Sequence, residues 1–354
     1  MRNSIIISGG GTGGHLFASL AFAQYTKQIG YNPIIIGSVW GIENKILPKM
    51  EFEYFLLNTK GFANKKVLQR IESIYKFFKA TLEAVFIIKK TKPLFVVGFG
   101  GYTTVPIIAA AKLTKNKKAI LEQNSIPGKA NKLLSNISDV VFVNFRQTKS
   151  YFNRRKVFIT GNPTRNSIYI KNRTFQNKNL VIGVMGGSRG AKSINDAMAE
   201  FAQISDKNIR IIHQTGETDE ARMKQIYKDM HPDWEVHSFI DNMEEFYKKI
   251  DFIICRAGAS TLSEIACAAL GSVLVPYPYA IYNHQYENAA IFEKQGASIV
   301  VEDKNLSGKL IKSIVSSLSI DKLKTMSNNA KILCKRDSCE KMIDILSKLQ
   351  VSPK

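Results

Sequence analysis

Apolar residues in this chain alternate between two kinds of pattern. Short β-branched or apolar runs occur at residues 4–8, 33–36, 94–97, 119–121, 140–143, 181–185, 209–213, 252–255 and 273–275. They show little apolar/polar alternation, which suits strands buried on both faces of a parallel sheet. Longer segments with helical spacing, such as 15–29 and 193–202, lie between them. Strand, helix and strand in succession make βαβ units, so the expected class is α/β.

The beginning of the chain is approximately repeated near its middle. Ile5-Ile6-Ile7-Ser8-Gly9-Gly10-Gly11-Thr12-Gly13-Gly14 passes from strand to glycine loop to helix, and Val181-Ile182-Gly183-Val184-Met185-Gly186-Gly187-Ser188-Arg189-Gly190 does the same. The polar stretch 162–180, opened by Asn162-Pro163, reads as their connection. Two Rossmann-like domains facing across a cleft are therefore expected, at 1–162 and 163–354. The last helix is a candidate to pack back on the first domain. Open α/β sheets bind ligands beyond the carboxyl ends of their strands.

The longest helical pattern, 65–92, carries two readings. Leu68, Ile71, Tyr75, Phe78, Leu82 and Val85 recur at three or four residues, an ordinary core stripe, while Phe77, Phe86 and Ile88 fall partly off it. One reading is a core helix with a basic outer face. The other has Phe77, Phe86 and Ile88 dipping into lipid headgroups while Lys76, Lys79 and their basic neighbours meet anionic lipid.

Composition narrows the class. With 354 residues, 45% hydrophobic and 22% charged, the chain can build substantial cores and is not disordered. Fifty Lys/Arg against 29 Asp/Glu give a formal charge of +21. Residues 1–163 hold 24 basic against 7 acidic residues, whereas 164–354 hold 26 against 22. Such an excess invites an anionic partner: nucleic acid, a membrane surface or a phosphorylated substrate. No nucleic-acid-binding module signature is present, so no nucleic acid is expected. The four cysteines form no C-x-x-C pair and read as free buried thiols in a reducing compartment. No apolar run is long enough to span a membrane, and no signal-peptide core precedes the first glycines, so a cytoplasmic, at most membrane-attached, protein is expected.

Candidate chemistry gathers at the strand-to-helix loops. Gly9-x-Gly11-x-x-Gly14 matches the dinucleotide fingerprint, but the second strand ends Ile36-Gly37-Ser38-Val39 without an acid for a ribose, and Glu43 comes late. What remains is either backbone N–H groups at a helix N-terminus, ready for an anion or a sugar, or a tight structural turn. His15 follows at once. The helix dipole favours its neutral imidazole there, suited to a general base or else to capping the loop. The 186–190 loop adds Ser188 and Arg189 beside glycines, and the 94–106 turn presents Tyr102. In the 251–264 segment, Thr261-x-x-Glu264 fits a capping box. Glu264 equally fits a carboxylate taking a ribose diol, with the amides of 258–263 facing a diphosphate. The amide-rich stretch 276–288 suits sugar hydroxyls or an ordinary polar loop.

Eight motifs then stand together in order. They are Gly10-Gly11-Thr12-Gly13-Gly14-His15, Val96-Val97-Gly98-x-Gly100-Gly101-Tyr102, Glu122-Gln123-Asn124-x-x-Pro127-Gly128, Thr160-Gly161-Asn162-Pro163-x-Arg165, Gly186-Gly187-Ser188-x-Gly190-Ala191, Arg256-Ala257-Gly258-Ala259-x-Thr261-x-x-Glu264, Pro276-Tyr277-Pro278 and Asn283-His284-Gln285-x-x-Asn288-Ala289. In this the chain closely resembles the MurG family of N-acetylglucosaminyltransferases, which complete lipid II in bacterial peptidoglycan synthesis. The resemblance implies a GT-B fold and an inverting transfer from UDP-N-acetylglucosamine to undecaprenyl-pyrophosphoryl-N-acetylmuramyl-pentapeptide. It implies a peripheral place on the cytoplasmic face of the bacterial cell membrane, against an anionic surface. It further implies a donor site of Thr12, Gly13, Gly14, Asn124, Arg165, Ser188, Ile240, Ala259, Ser260, Thr261, Leu262, Ser263, Glu264 and Gln285. Ile240 would hold the uracil through its backbone and Glu264 the ribose. His15 is the expected base, with Tyr102 and Glu122 near the acceptor. No cofactor and no metal are expected, since the chain has no D-x-D triplet. Two positions depart from the family pattern: Leu121 replaces a common histidine and Ala18 a common proline. A UDP-sugar 2-epimerase or a glycolipid glycosyltransferase on the same fold is the alternative.

Overall fold

The computed structural model describes residues 3–59, 67–175, 179–206 and 208–351, without the side chains of 67–73 and 351. The chain divides into two compact units, residues 1–164 with 335–354, and residues 165–334. The contact boundary thus falls two residues beyond the 162/163 junction read from the sequence, and the last twenty residues return to the first unit.

The first unit is built on seven strands: β1 (Ser4–Ser8), β2 (Asn32–Ser38), β3 (Glu53–Leu57), β4 (Phe95–Gly98), β5 (Lys117–Glu122), β6 (Val140–Val143) and β7 (Val157–Ile159). All pair in parallel, in the order β3-β2-β1-β4-β5-β6-β7. Alternate residues of β1 serve different layers. Ile5 and Ile7 pack with Leu16 and Phe22 of the helix Gly13–Gln28 and with Met342 and Leu346 of the helix Ser338–Val351. Ile6 packs with Ala84 and Ile87 of the helix Val67–Thr91 and with Ile107 and Ile108 of the helix Thr104–Leu113. Each such buried Ile or Leu contributes about 1.5–3 kcal/mol. Leu121 is wholly buried in the first of these layers, and Ala18 lies there too.

The second unit carries six parallel strands: β8 (Leu180–Met185), β9 (Ile209–Gln214), β10 (Glu235–His237), β11 (Phe252–Cys255), β12 (Gly271–Leu274) and β13 (Ser298–Val300). Their order is β10-β9-β8-β11-β12-β13. The edge strands β3, β7, β10 and β13 go beyond the runs read from the sequence. Gly183 on β8 lets the helix Met243–Lys249 lie close: a Cβ there would stand 2.6 Å from Ile250 Cδ1 and from Phe246 Cζ.

Two expectations are corrected here. Cys267 and Cys334 form a disulfide with Cα atoms 4.9 Å apart, while Cys255 and Cys339 are free and buried. The helices Ala259–Cys267 and Ile320–Ile332 bring the two together across a sequence separation of 67, which no local spacing reveals. The helix Val67–Thr91 is also turned relative to its expected stripe. Ala80, Ala84, Ile87 and Ile88 face the core, whereas Tyr75, Phe78, Leu82 and Phe86 are 61–68% exposed. The small alanines allow the close helix packing, and the bulky side chains are left outside. Lys79 is exposed, Lys76 and Phe77 are half-buried, and the side chains of Leu68, Arg70 and Ile71 lie outside the described residues.

Candidate active site

In the first unit, three loops meet at the carboxyl edge of β1, β4 and β5. The helix Gly13–Gln28 starts at Thr12, whose hydroxyl lies 2.9 Å from Nδ1 of His15. The His15 ring rests against the second glycine turn, where a Cβ on Gly100 would stand 2.9 Å from its Cδ2. Gly100 and Gly101 take φ of +98° and +81°, so the approach needs glycine for conformation as well as space. Tyr102, partly covered, lies over Gly11, and its hydroxyl is pushed above the ordinary tyrosine range mainly by burial. Gln123 donates to the Gly14 carbonyl at 3.4 Å and joins the third loop to the first.

The first glycine loop is not an open anion nest. The buried Glu43 carboxylate lies beneath it, and Oε1 accepts the amides of Gly11 at 3.0 Å and Ser38 at 3.3 Å. Amides expected to wait for an anion are thus partly engaged by the chain's own acid. A Cβ on Gly10 or Gly41 would collide with that carboxylate, at 1.7 and 1.8 Å.

Glu122 differs in disposition from the acceptor-facing group expected of it. It is 3% exposed, and its oxygens accept from Asn124 N (2.9 Å), Asn124 Nδ2 (3.2 Å), Gly128 N (3.2 Å) and Asn131 Nδ2 (2.8 Å). Burial raises its pKa, while these donors pull it down. This is the geometry of a residue that shapes the 122–131 loop and holds Asn124.

In the second unit, the loops after β8 and β9 interlock. A Cβ on Gly190 would meet the Thr215 carbonyl at 1.8 Å, and Gly190 has φ of +73°. Ser188 projects exposed from this loop. Gln214 at the end of β9 donates to the Gly187 carbonyl at 3.0 Å and accepts the Ile240 amide at 2.9 Å, tying two expected donor-site segments together. Below, the wholly buried His213 bonds Tyr227 Oη at 2.8 Å and Asn195 Oδ1 at 3.1 Å. Burial lowers its pKa to about 3, so it stays neutral.

The helix Ala259–Cys267 begins at Gly258 with no side-chain cap and no acid in its first turn. Thr261 and Glu264 both lie inside it, so they do not form the capping box that their spacing allows. The positive end of its dipole is a favourable place for an anion. Glu264 Oε2 accepts the Tyr247 hydroxyl at 2.9 Å. Burial raises the Glu264 pKa, against the opposing pull of Arg165 and of that bond. Ser263 Oγ donates to the Ala259 carbonyl at 3.0 Å, and Gln285 Oε1 accepts the Tyr277 amide at 3.0 Å. Tyr282 and Asn283 just before Gln285 have φ of 55° and 54°, a costly pair for residues with side chains.

The chain matches the glycosyltransferase family 28 N-terminal domain over residues 5–143 and its C-terminal domain over 181–342. The crystal structure of Acinetobacter baumannii MurG superposes with a TM-score of 0.77 at 28% identity, covering 98% of this chain and 99% of that one. The UDP-N-acetylglucosamine–N-acetylmuramyl-(pentapeptide) pyrophosphoryl-undecaprenol N-acetylglucosamine transferase of Thermodesulfovibrio yellowstonii is 38% identical over 87% of each chain. The protein of that name from Thermoanaerobacter sp. is 36% identical over 97% of this chain and 99% of its own. The chain belongs to the MurG family. A structure titled as a UDP-N-acetylglucosamine 2-epimerase from Listeria monocytogenes, 12% identical with a TM-score of 0.69, shares the fold alone.

Against the family motifs, the structure adds residues that local patterns did not flag. Glu43, Gln214 and Tyr247 act on glycine loops or donor-site residues 17 to 32 positions away, and His213 beneath them bonds Tyr227, 14 positions away. The His213-Gln214-Thr215-Gly216 run, a strand ending in amide and glycine, is the one signal that could have found two of them.

Proposed function

We propose that this MurG-family chain moves N-acetylglucosamine, with inversion, from UDP-N-acetylglucosamine to the 4-hydroxyl of lipid-linked N-acetylmuramyl-pentapeptide, converting lipid I to lipid II. The observation that carries this is identity of 36–38% to relatives named for that transfer, over most of the chain. The acceptor oxygen attacks the anomeric carbon as the bond to the diphosphate oxygen breaks, and the hydroxyl proton passes to a base. His15 suits that task. In the tautomer whose Nδ1–H donates to Thr12, the Nε2 lone pair takes the proton. Tyr102, lying over the same loop, is assigned to the acceptor side.

Charge accumulates on the departing UDP. The N-terminus of the helix Ala259–Cys267 is assigned to that charge through Ala259, Ser260 and Thr261, with Leu262 and Ser263 completing the turn. Ser188 and Arg165 are assigned to the same charge, and such donors are worth roughly 2.7–4 kcal/mol each when removed singly. Ile240 is assigned to uracil, Glu264 to the ribose, and Gln285, Asn124, Thr12, Gly13 and Gly14 to the remaining donor contacts. This reading needs no metal. Turnover unchanged in EDTA supports it, and loss restored by added magnesium overturns it.

The acceptor is a lipid, and the helix Val67–Thr91 offers a surface suited to its membrane. Ile74, Tyr75, Phe78, Leu82 and Phe86 are 50–68% exposed, and exposed Lys79, Lys89 and Lys90 flank them. Apolar groups entering the headgroup layer, helped by lysines near anionic lipid, would hold the protein peripherally on the cytoplasmic face. Among the described residues no helix is long and apolar enough to cross a membrane. The deciding experiment offers radiolabelled UDP-N-acetylglucosamine with and without a soluble lipid I analogue. Label transferred to the analogue supports the reading, and epimerised sugar formed without acceptor overturns it.

A further inference from the structure

We propose that Tyr247 is a positioning residue for the donor nucleotide: its hydroxyl, donating to Glu264 Oε2, turns the other carboxylate oxygen toward the ribose diol. The proposal rests on the assignment of Glu264 to the ribose made above.

A glutamate inside a helix has three side-chain torsions to order before it can take two hydroxyls at once. The Glu264 carboxylate accepts the Tyr247 hydroxyl at 2.9 Å and makes no other hydrogen bond among the described residues. Its Oε1 takes no protein donor among the described residues, and Glu264 is half-buried. One oxygen is therefore anchored on the protein side and the other is left to a ligand.

The anchor is itself fixed. Tyr247 is 0% exposed and lies on the helix Met243–Lys249, which the close approach at Gly183 seats against β8. That helix is capped by Asn242, whose Oδ1 accepts the Glu245 amide at 3.1 Å. Glu244 and Glu245 in its first turn pair with Lys248 and Lys249 in its last, at 2.6 and 2.7 Å, matching the helix dipole. Arg173 then joins the carboxyl ends of both helices. It donates to the carbonyls of Tyr247 (2.6 Å) and Ile250 at the end of one, and to Ala268 (3.0 Å) at the end of the helix that carries Glu264. A tyrosine hydroxyl buried in this way stays protonated and can only donate to a carboxylate, which settles the direction of the bond.

The test measures calorimetric affinity for UDP against 2′,3′-dideoxy-UDP, with kcat and KM for the sugar donor, in the full-length protein. The native chain should prefer UDP by about tenfold or more. Tyr247→Phe keeps the ring and removes the hydroxyl. It should cut the preference at least about fivefold and raise KM, while kcat at saturating donor stays within about twofold. In a Glu264→Ala background the same change should leave the preference unmoved. A folded Tyr247→Phe protein with native preference overturns the proposal. Absence of preference in the native protein also overturns it, but through the ribose assignment. Should Tyr247→Phe not fold, Glu264→Gln decides. Its amide oxygen can accept from Tyr247 and turn the NH₂ to the diol, so preference above that of Glu264→Ala is expected, and equality overturns the proposal.

Discussion

The Glu43 carboxylate accepts the Gly11 amide at 3.0 Å from below the first glycine loop. Its Oε1 also takes the Ser38 amide, while Oε2 is buried without a partner. An acid in that place does from inside what a phosphate does from outside in a dinucleotide site, and it fixes the loop that carries Thr12 and His15. Hydrogen bonds to charged groups are worth about 1.5–3 kcal/mol. Glu43→Ala should therefore lower stability by about 2–4 kcal/mol in chemical denaturation. It should also depress kcat more than affinity for UDP. A variant with native stability and native kcat would show that the loop holds its shape without the acid.

His15 sits in the first turn of its helix, 2.9 Å from Thr12 Oγ1 and pressed on Gly100. If it takes the acceptor proton, His15→Ala should cut turnover by a factor on the order of 10² to 10⁴, with UDP affinity nearly native. Steady-state rates and calorimetry together check this. Near-native turnover would reassign His15 to loop structure.

Glu122 yields a different expectation, because its oxygens already accept four donors. Glu122→Gln places an NH₂ against at least one of them. A loss of about 1–3 kcal/mol of stability should follow, with donor KM raised as Asn124 moves. Large loss of kcat at native stability and native KM would instead place Glu122 in the chemistry.

Much of this architecture was legible in the sequence, and what was not has physical causes. Interior strands such as β1, β6 and β11 are continuous apolar runs, covered on both faces. Edge strands β7, β10 and β13 are three residues long, and β3 begins with exposed Glu53 and Tyr54, so the apolar stretches they carry are too short to stand out from their surroundings. The helix Val67–Thr91 has apolar residues on two faces, and periodicity alone cannot say which one packs. Alanine size was the missing cue. The glycine loops announced themselves because φ above zero and close approach demand glycine. The contacts of Glu43 with Gly11 and of Tyr247 with Glu264, and the Cys267–Cys334 bridge, did not, because they span 17 to 67 residues and only the fold brings them close.

His213 supplies a pH prediction. Its folded pKa of about 3 lies below the ordinary histidine value of 6.5, so in that window the unfolded chain binds more protons. Its contribution is present above pH 6.5 and is lost as pH falls towards 3, by about 1.4 kcal/mol per unit. His213→Gln should be less stable than the native chain at pH 7.5, and the gap should narrow steadily towards pH 4.5. Thermal melts across that range check it, and a gap independent of pH would mean that His213 is not held neutral by burial.

The outward face of the helix Val67–Thr91 bears on how a protein without a membrane-spanning helix among its described residues could reach a lipid-linked acceptor. Phe78, Leu82 and Phe86 are 61%, 68% and 68% exposed and one turn apart, so they form one continuous apolar stripe. A helix needing only its inner face would carry polar groups there, and bulky apolar groups left in water mark an interaction surface. Each lysine near an anionic surface adds about 1 kcal/mol, so Lys79, Lys89 and Lys90 would make attachment depend on lipid charge. Changing Phe78, Leu82 and Phe86 together to Ser should abolish sedimentation with anionic vesicles. Changing Lys79, Lys89 and Lys90 to Glu should do so too, and mainly at low salt, where charge attraction is least screened. Neither set touches the core face of Ala80, Ala84, Ile87 and Ile88, so melting temperature and turnover on a soluble acceptor analogue should stay near native. Equal binding of the native protein to neutral vesicles, or unchanged binding by both variants, would move the attachment surface elsewhere on the chain.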